Sequence, residues 1–103
     1  MSKDFKVLWT ENTVEDLLAI KEYISEDSPD RAEAWLIELF NSGESLASLP
    51  TRGRIVPEFK RTENLRELLI GNYRLVYRIK KSSIEIITVF EGHRQLNKTD
   101  LKK

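Results

Sequence analysis

Arginines set among alternating apolar residues fill one stretch of the chain, Leu65-Arg66-Glu67-Leu68-Leu69-Ile70-Gly71-Asn72-Tyr73-Arg74-Leu75-Val76-Tyr77-Arg78-Ile79. Guanidinium groups held on rigid strands suit a phosphate or carboxylate ligand, because their planar fork matches the oxygens of either. Strand alternation puts Tyr73, Leu75, Tyr77 and Ile79 on one face and Arg74, Val76 and Arg78 on the other, so Arg74 and Arg78 share a side. An arginine with apolar neighbours on a central strand must have its charge solvated or paired. Arg74 is therefore either an anion-binding group or half of an ion pair, with Glu67 or Glu91 on neighbouring strands as its partner. Arg52, Arg54, Lys60 and Arg61 form a second basic cluster, in a connecting segment, and fit either contact with an acidic partner or a solvated loop. His93, the one histidine, is the residue type suited to proton transfer near neutral pH, though near a chain end such a residue is more often simply exposed or hydrogen-bonded.

Charge is divided along the chain. Residues 1–51 carry 4 basic and 11 acidic side chains, net −7, and residues 52–103 carry 13 and 6, net +7. Acidic and basic surfaces on one molecule are thus expected, the basic one able to attract RNA, DNA or an acidic protein segment. With no cysteine there is no disulfide framework or thiolate metal site, and one histidine leaves little for imidazole ligation, so no metal or cofactor is expected. Met1-Ser2-Lys3-Asp4-Phe5-Lys6 lacks the apolar core of a signal peptide and no apolar run approaches a membrane span, which gives the expectation of a soluble cytoplasmic protein. At 103 residues, a single domain is expected.

The elements that must hold these residues follow from periodicity. Phe5 to Thr10 reads as a first strand. Thr13 and Asp16 have the spacing of an N-cap with an acidic N3 residue, and Val14, Leu17, Leu18, Ile20 and Ile24 recur at helical intervals, predicting a helix over about 13–26. Asp27-Ser28-Pro29-Asp30 is a break and restart, with Ser28 as cap and Pro29 at the first helical position. The second helix carries Ala32, Trp35, Leu36, Leu39, Phe40, Leu46 and Leu49 on one stripe with Gly43 on the same side, and Pro50 stops it. Strands are expected at 65–71, 73–80 and 83–91, joined by a tight Gly71-Asn72 turn and a polar Lys80-Lys81-Ser82-Ser83 loop. The fold class is α+β, ordered β-α-α-β-β-β, with a helical hairpin packed on one face of a mostly antiparallel sheet. The other face is expected to be free for function. Trp9, Trp35, Phe40, Tyr73 and Tyr77 fall at periods that assign them to the core, and Lys98, Lys102 and Lys103 read as a flexible basic tail.

Taken together, the ordered set of local motifs resembles the RelE/ParE superfamily of toxins from bacterial type II toxin–antitoxin systems. The resemblance rests on Trp9-Thr10, Asp16-Leu17, Ile20, Tyr23-Ile24, Asp27-Ser28-Pro29, Glu44-Ser45-Leu46-Ala47, Pro50 and Gly53-Arg54 in the first half. It continues through Val56-Pro57-Glu58, Arg66-Glu67-Leu68, the strand 73–79, and Val89-Phe90-Glu91-Gly92-His93-Arg94-Gln95-Leu96. It implies a growth-inhibiting toxin neutralised by a cognate antitoxin that covers its active face. Two mechanisms live on this fold: ParE-type members poison DNA gyrase, and RelE-type members cleave messenger RNA on the ribosome.

Metal-free RNA cleavage needs a base for the 2′-hydroxyl, a cation for the phosphorane charge and an acid for the leaving oxygen. By resemblance to ribonuclease members, these roles fall to Glu58 as base, Arg74 and Arg94 as cations, and His93 as acid. Two departures count against that set: residues 96–103 hold no aromatic side chain to stack on a base, and Glu91 stands where a histidine is often found. The preferred expectation is a ParE-like toxin acting by protein binding, with Arg54, Arg66, Arg74, Arg78 and Arg94 as binding residues. A ribosome-dependent endoribonuclease is the alternative, and a non-toxic binding partner of an antitoxin a third. A homodimer or a toxin–antitoxin hetero-oligomer is compatible with each.

Overall fold

The structure is a computed structural model and describes residues 4–101. The N-terminal Met1-Ser2-Lys3 and the tail lysines Lys102 and Lys103 lie outside the described residues. Strand β1 (Lys6–Trp9) leads into helix α1 (Glu11–Asp27) and helix α2 (Pro29–Glu44). Strands β2 (Arg54–Ile55), β3 (Leu65–Ile70), β4 (Tyr73–Ile79) and β5 (Ser83–Glu91) follow, and a short helix α3 (Lys98–Leu101) closes the described chain. The sheet order is β1-β5-β4-β3-β2. All neighbours are antiparallel except β1 and β5, which run parallel with Lys6 opposite Ser83 and Trp9 opposite Ile86.

The β3–β4 turn forms where expected, with Gly71 at φ +60°, a conformation that a Cβ would disfavour. It aligns Ile70 with Tyr73 and Leu65 with Arg78. On β5 the register slips by one residue: Val76 faces Thr88 while Tyr77 faces Ile86. The bulge leaves Ile87 unpaired. Ile84, Ile86 and Val89 consequently all join the helix-side core, while Ile87 and Phe90 pack on the opposite face.

Helix α1 begins three residues earlier than the spacing of Thr13 and Asp16 suggests. Thr10 is the N-cap, its hydroxyl accepting from the Thr13 amide at 3.2 Å. Thr13 is instead fully buried, and its hydroxyl donates to Ile86 O at 2.8 Å. The reason lies in the sheet. Because β1 ends at Trp9, the β5 backbone beyond Ile86 has no strand neighbour on that side, and polar groups of α1 take its place. Asn12 Nδ2 donates to Ile87 O at 3.1 Å, while Asp16 accepts from the Val89 amide at 3.1 Å and the Thr88 hydroxyl at 2.7 Å.

Ser28 caps α2 as expected, accepting from the Arg31 amide at 3.2 Å. The helix does not run to Pro50: it ends at Glu44 and a 3₁₀ turn over Ser45–Ala47 follows. Gly43 does mark a close approach, since a Cβ there would lie 2.6 Å from Trp9 Cζ2 and 3.1 Å from Ile86 Cδ1. Leu17 and Leu39 pack on Leu68, Leu75, Tyr77, Ile84 and Ile86, each such aliphatic side chain contributing about 1.5–3 kcal/mol by leaving water. Val14, Leu18, Phe40 and Leu49, all read as parts of apolar stripes, are exposed, because the hairpin seats only a narrow face of each helix on a sheet this small. Phe40 keeps its ring stacked on Trp9 at 5.3 Å without entering the core.

The second face of the sheet is not free. Val76, Ile87 and Phe90 point to it and need cover, which comes from Val56, Leu65 and Leu96, with Phe59 and Leu101 packed against them. A small second core therefore sits under residues 56–59 and the segment from Leu96 to α3. Lys98, read as part of a flexible tail, begins α3.

Candidate functional site

Four charged side chains form a connected cluster on this second face, Arg54, Glu58, Glu67 and Arg74. Glu67, from β3, is fully buried and accepts from Arg54 Nε at 2.6 Å and from Arg74 Nε at 2.7 Å. Arg74, from the central strand β4, is buried, with 6 % of its side chain exposed. Its Nη2 also lies 2.6 Å from Glu67 Oε1, and its two terminal nitrogens grip Glu58 end-on at 2.7 and 2.8 Å. A further N–H donates to the carbonyl of Arg94 at 2.9 Å. Four of the five N–H donors of this guanidinium are thus hydrogen-bonded within the protein, and the remaining one, on Nη2, stands in the ion pair with Glu67. Of the two partners that the sequence offers for Arg74, the structure takes Glu67 and not Glu91.

Glu58 sits in a 3₁₀ turn, Pro57–Phe59, that Pro57 starts. Besides Arg74 it accepts from the Leu96 amide at 2.8 Å, which ties the C-terminal segment to the sheet. The Arg74 hydrogen bonds outweigh burial and, with the Leu96 amide, hold its carboxyl well below the ordinary carboxylate range, at about 2. A depressed acid stabilises the folded state fully above its unfolded value of about 4.5, and that contribution is lost as pH falls toward 2. The expected size is on the order of 3 kcal/mol. Urea midpoints followed from pH 6 to 2.5 should fall steeply for the native chain and more gently for Glu58→Gln; parallel profiles would contradict the assignment.

Arg94 adds the outer layer. Its guanidinium lies 4.4 Å from the centre of the Phe90 ring, with that of Arg74 at 5.1 Å, and pairs with Asp100 of α3 at 3.0 Å. It remains half exposed, as does Arg54. Arg66 donates to Gly53 O at 3.1 Å and Glu63 O at 2.9 Å, and Arg78 lies 3.5 Å from Glu85 at the far end of β4. His93 stands apart, 84 % exposed, with Nδ1 3.3 Å from Glu91 Oε2. Of the residues named for RNA cleavage, Glu58, Arg74 and the Arg94 backbone meet at one place, and His93 makes no hydrogen bond to them.

Sequence spacing does not reveal that Phe90 packs beneath two guanidinium groups or that Asp100 and the Leu96 amide belong to the cluster. Glu67 was legible only as one of two candidate partners. Among the described residues no group of three or more His, Asp or Glu side chains is arranged to hold a metal ion, and no helix is long and apolar enough to cross a membrane.

Comparison with known proteins agrees with this architecture. Residues 7–96 match the family model described as the ParE toxin of the type II toxin–antitoxin system parDE. The chain is 33 % identical over 85 residues to "Toxin RelE2" of Caulobacter vibrioides, covering 82 % of this chain and 91 % of that protein. It is 32 % identical over 92 residues to "Putative toxin Y4kP" of Sinorhizobium fredii, covering 87 % and 91 %. Among solved structures, one titled "Chromosomal ParDE TA system from P. aeruginosa" superposes with a TM-score of 0.71 at 20 % identity, over 87 % of this chain and 98 % of the other, a likeness of fold. The chain belongs to the ParE toxin family of type II toxin–antitoxin systems, within the RelE/ParE superfamily.

Proposed function

We propose that this toxin inhibits growth by binding DNA gyrase rather than by cutting RNA, and that a separately encoded antitoxin neutralises it. The observation that carries this reading is the state of Arg74: four of its donors are hydrogen-bonded to Glu58, Glu67 and Arg94 O and the fifth stands in the ion pair with Glu67, so the guanidinium is committed inside the protein rather than open to a phosphorane. Glu58, held at about 2, is also a weak base for a hydroxyl proton near neutral pH. The cluster then serves as a rigid frame, and the half-exposed guanidiniums of Arg54 and Arg94 are the groups it presents to a partner.

The test is the order of events after induction of the chain without antitoxin. Thymidine incorporation should fall before methionine incorporation, and the purified protein should inhibit gyrase supercoiling at micromolar concentration. An early fall in methionine incorporation with supercoiling untouched would reject the proposal. It would favour the second reading, for which the convergence of Glu58, Arg74 and Arg94 speaks: a ribosome-dependent ribonuclease in which the substrate phosphate displaces the internal pairs. Growth unaffected by induction would reject both and favour a chain that only partners an antitoxin.

A further inference from the structure

Away from the arginine cluster, an open cleft with a volume of about 860 Å³ lies where the helical hairpin meets the β3–β4 turn. Three aromatic rings line it: Tyr23 from α1, Trp35 from α2 and Tyr73 from β4. Three carboxylates, Glu26, Asp27 and Glu38, line it as well, against one cation, Arg31, whose charge is met by Asp27 at 3.1 Å. The cleft therefore carries net negative charge beside aromatic faces. That is the environment that attracts a guanidinium, since ring quadrupoles and carboxylates both favour a cation and the flat fork can lie on a ring.

The shape of the depression favours a peptide over a small ion. Tyr23 and Tyr73 also line a neighbouring groove of about 500 Å³ that continues past Phe90 to His93 and Arg94, so the depression is a trough rather than a point site. Trp35 packs edge-on against Tyr73 at 5.2 Å, and among the described residues its buried indole N–H has no hydrogen-bond partner. Tyr23, 67 % exposed, presents its ring to water at the rim of the cleft.

We propose that this cleft is a docking site for an extended protein segment bearing an arginine, whose guanidinium lies among Tyr23, Trp35 and Glu38. The site stands whichever cellular target the toxin has. The test uses the full chain, ¹⁵N-labelled, titrated with the capped tripeptides acetyl-Gly-Arg-Gly-amide, acetyl-Gly-Lys-Gly-amide and acetyl-Gly-Glu-Gly-amide while both indole N–H resonances are followed. The arginine peptide should move the Trp35 resonance saturably and leave that of Trp9 in place, with the lysine peptide at least threefold weaker and the glutamate peptide inert. Glu38→Gln, at an exposed position that leaves the core untouched, should weaken arginine-peptide binding at least threefold, and Tyr23→Ala should do the same. A Trp35 resonance that does not respond, equal response to lysine, or unchanged binding in both variants would each overturn the proposal.

Discussion

Arg74→Ala is expected to destabilise the fold by about 3–5 kcal/mol, because it leaves Glu58 and Glu67 buried without the guanidinium that satisfies both. Glu67 keeps Arg54, but that side chain is half exposed and meets only one of its oxygens. Glu58 keeps the Leu96 amide and its own backbone N–H, neither of which carries a charge. In urea the midpoint should fall with the slope unchanged, the signature of lost stability without a change in the unfolded chain. The loss should shrink in an Arg74→Met, Glu58→Gln, Glu67→Gln triple variant, since replacing a whole buried ionic group costs far less than orphaning part of it. A loss under 1 kcal/mol for Arg74→Ala would mean that the cluster is looser than its distances state. There is a practical consequence for function. Loss of toxicity in Arg74→Ala would not separate a recognition or catalytic role from unfolding, so substitutions at the exposed guanidiniums of Arg94 and Arg54 are the informative ones.

Tyr77→Ala is expected to cost about 3–5 kcal/mol, the range for removing a large buried ring. Tyr77 is completely buried beneath the hairpin, and its hydroxyl both donates to Pro50 O at 2.7 Å and accepts from the Gly53 amide at 2.9 Å. One side chain on the central strand thus anchors the loop that delivers Arg54 to Glu67. Tyr77→Phe keeps the ring but leaves a buried amide and carbonyl unmet, and should cost about 1–3 kcal/mol. Thermal melts and amide exchange at Gly53 separate the two contributions: in Tyr77→Phe the Gly53 amide should lose protection while the core strands keep theirs. Retained protection at Gly53 would refute the anchoring role. Gly53 itself is fixed by the same contact, because a Cβ there would stand 2.5 Å from Glu67 O and 2.7 Å from the Tyr77 hydroxyl.

Much of this architecture was legible in the residues alone, for reasons that are local. Strand alternation through 65–79 set the two faces of β3 and β4, and the Gly71-Asn72 pair fixed their register, because a two-residue turn leaves no freedom to slip. Ser28-Pro29 stopped one helix and started the next through a hydroxyl and a missing amide hydrogen, both properties of single residues. The ordered motifs from Trp9 to Leu96 pointed to the family to which the chain belongs.

What failed was decided between elements. The cap of α1 moved from Thr13 to Thr10 because the β5 backbone beyond the end of β1 needed Asn12, Thr13 and Asp16 as partners, and that need does not exist until the strands are side by side. The sheet face expected to be free acquired a second core because the bulge at Ile87 turns Phe90 away from the helices to join Val76 and Ile87 there. Arg74 was visible as a cation that must be solvated or paired; whether its guanidinium faces solvent or closes on Glu58, Glu67 and the Arg94 carbonyl depends on segments 7 to 20 residues away. Residue type and spacing determine which groups require a partner, while the tertiary structure alone decides which partner arrives, because long-range contacts follow from packing the whole sheet and not from any local pattern.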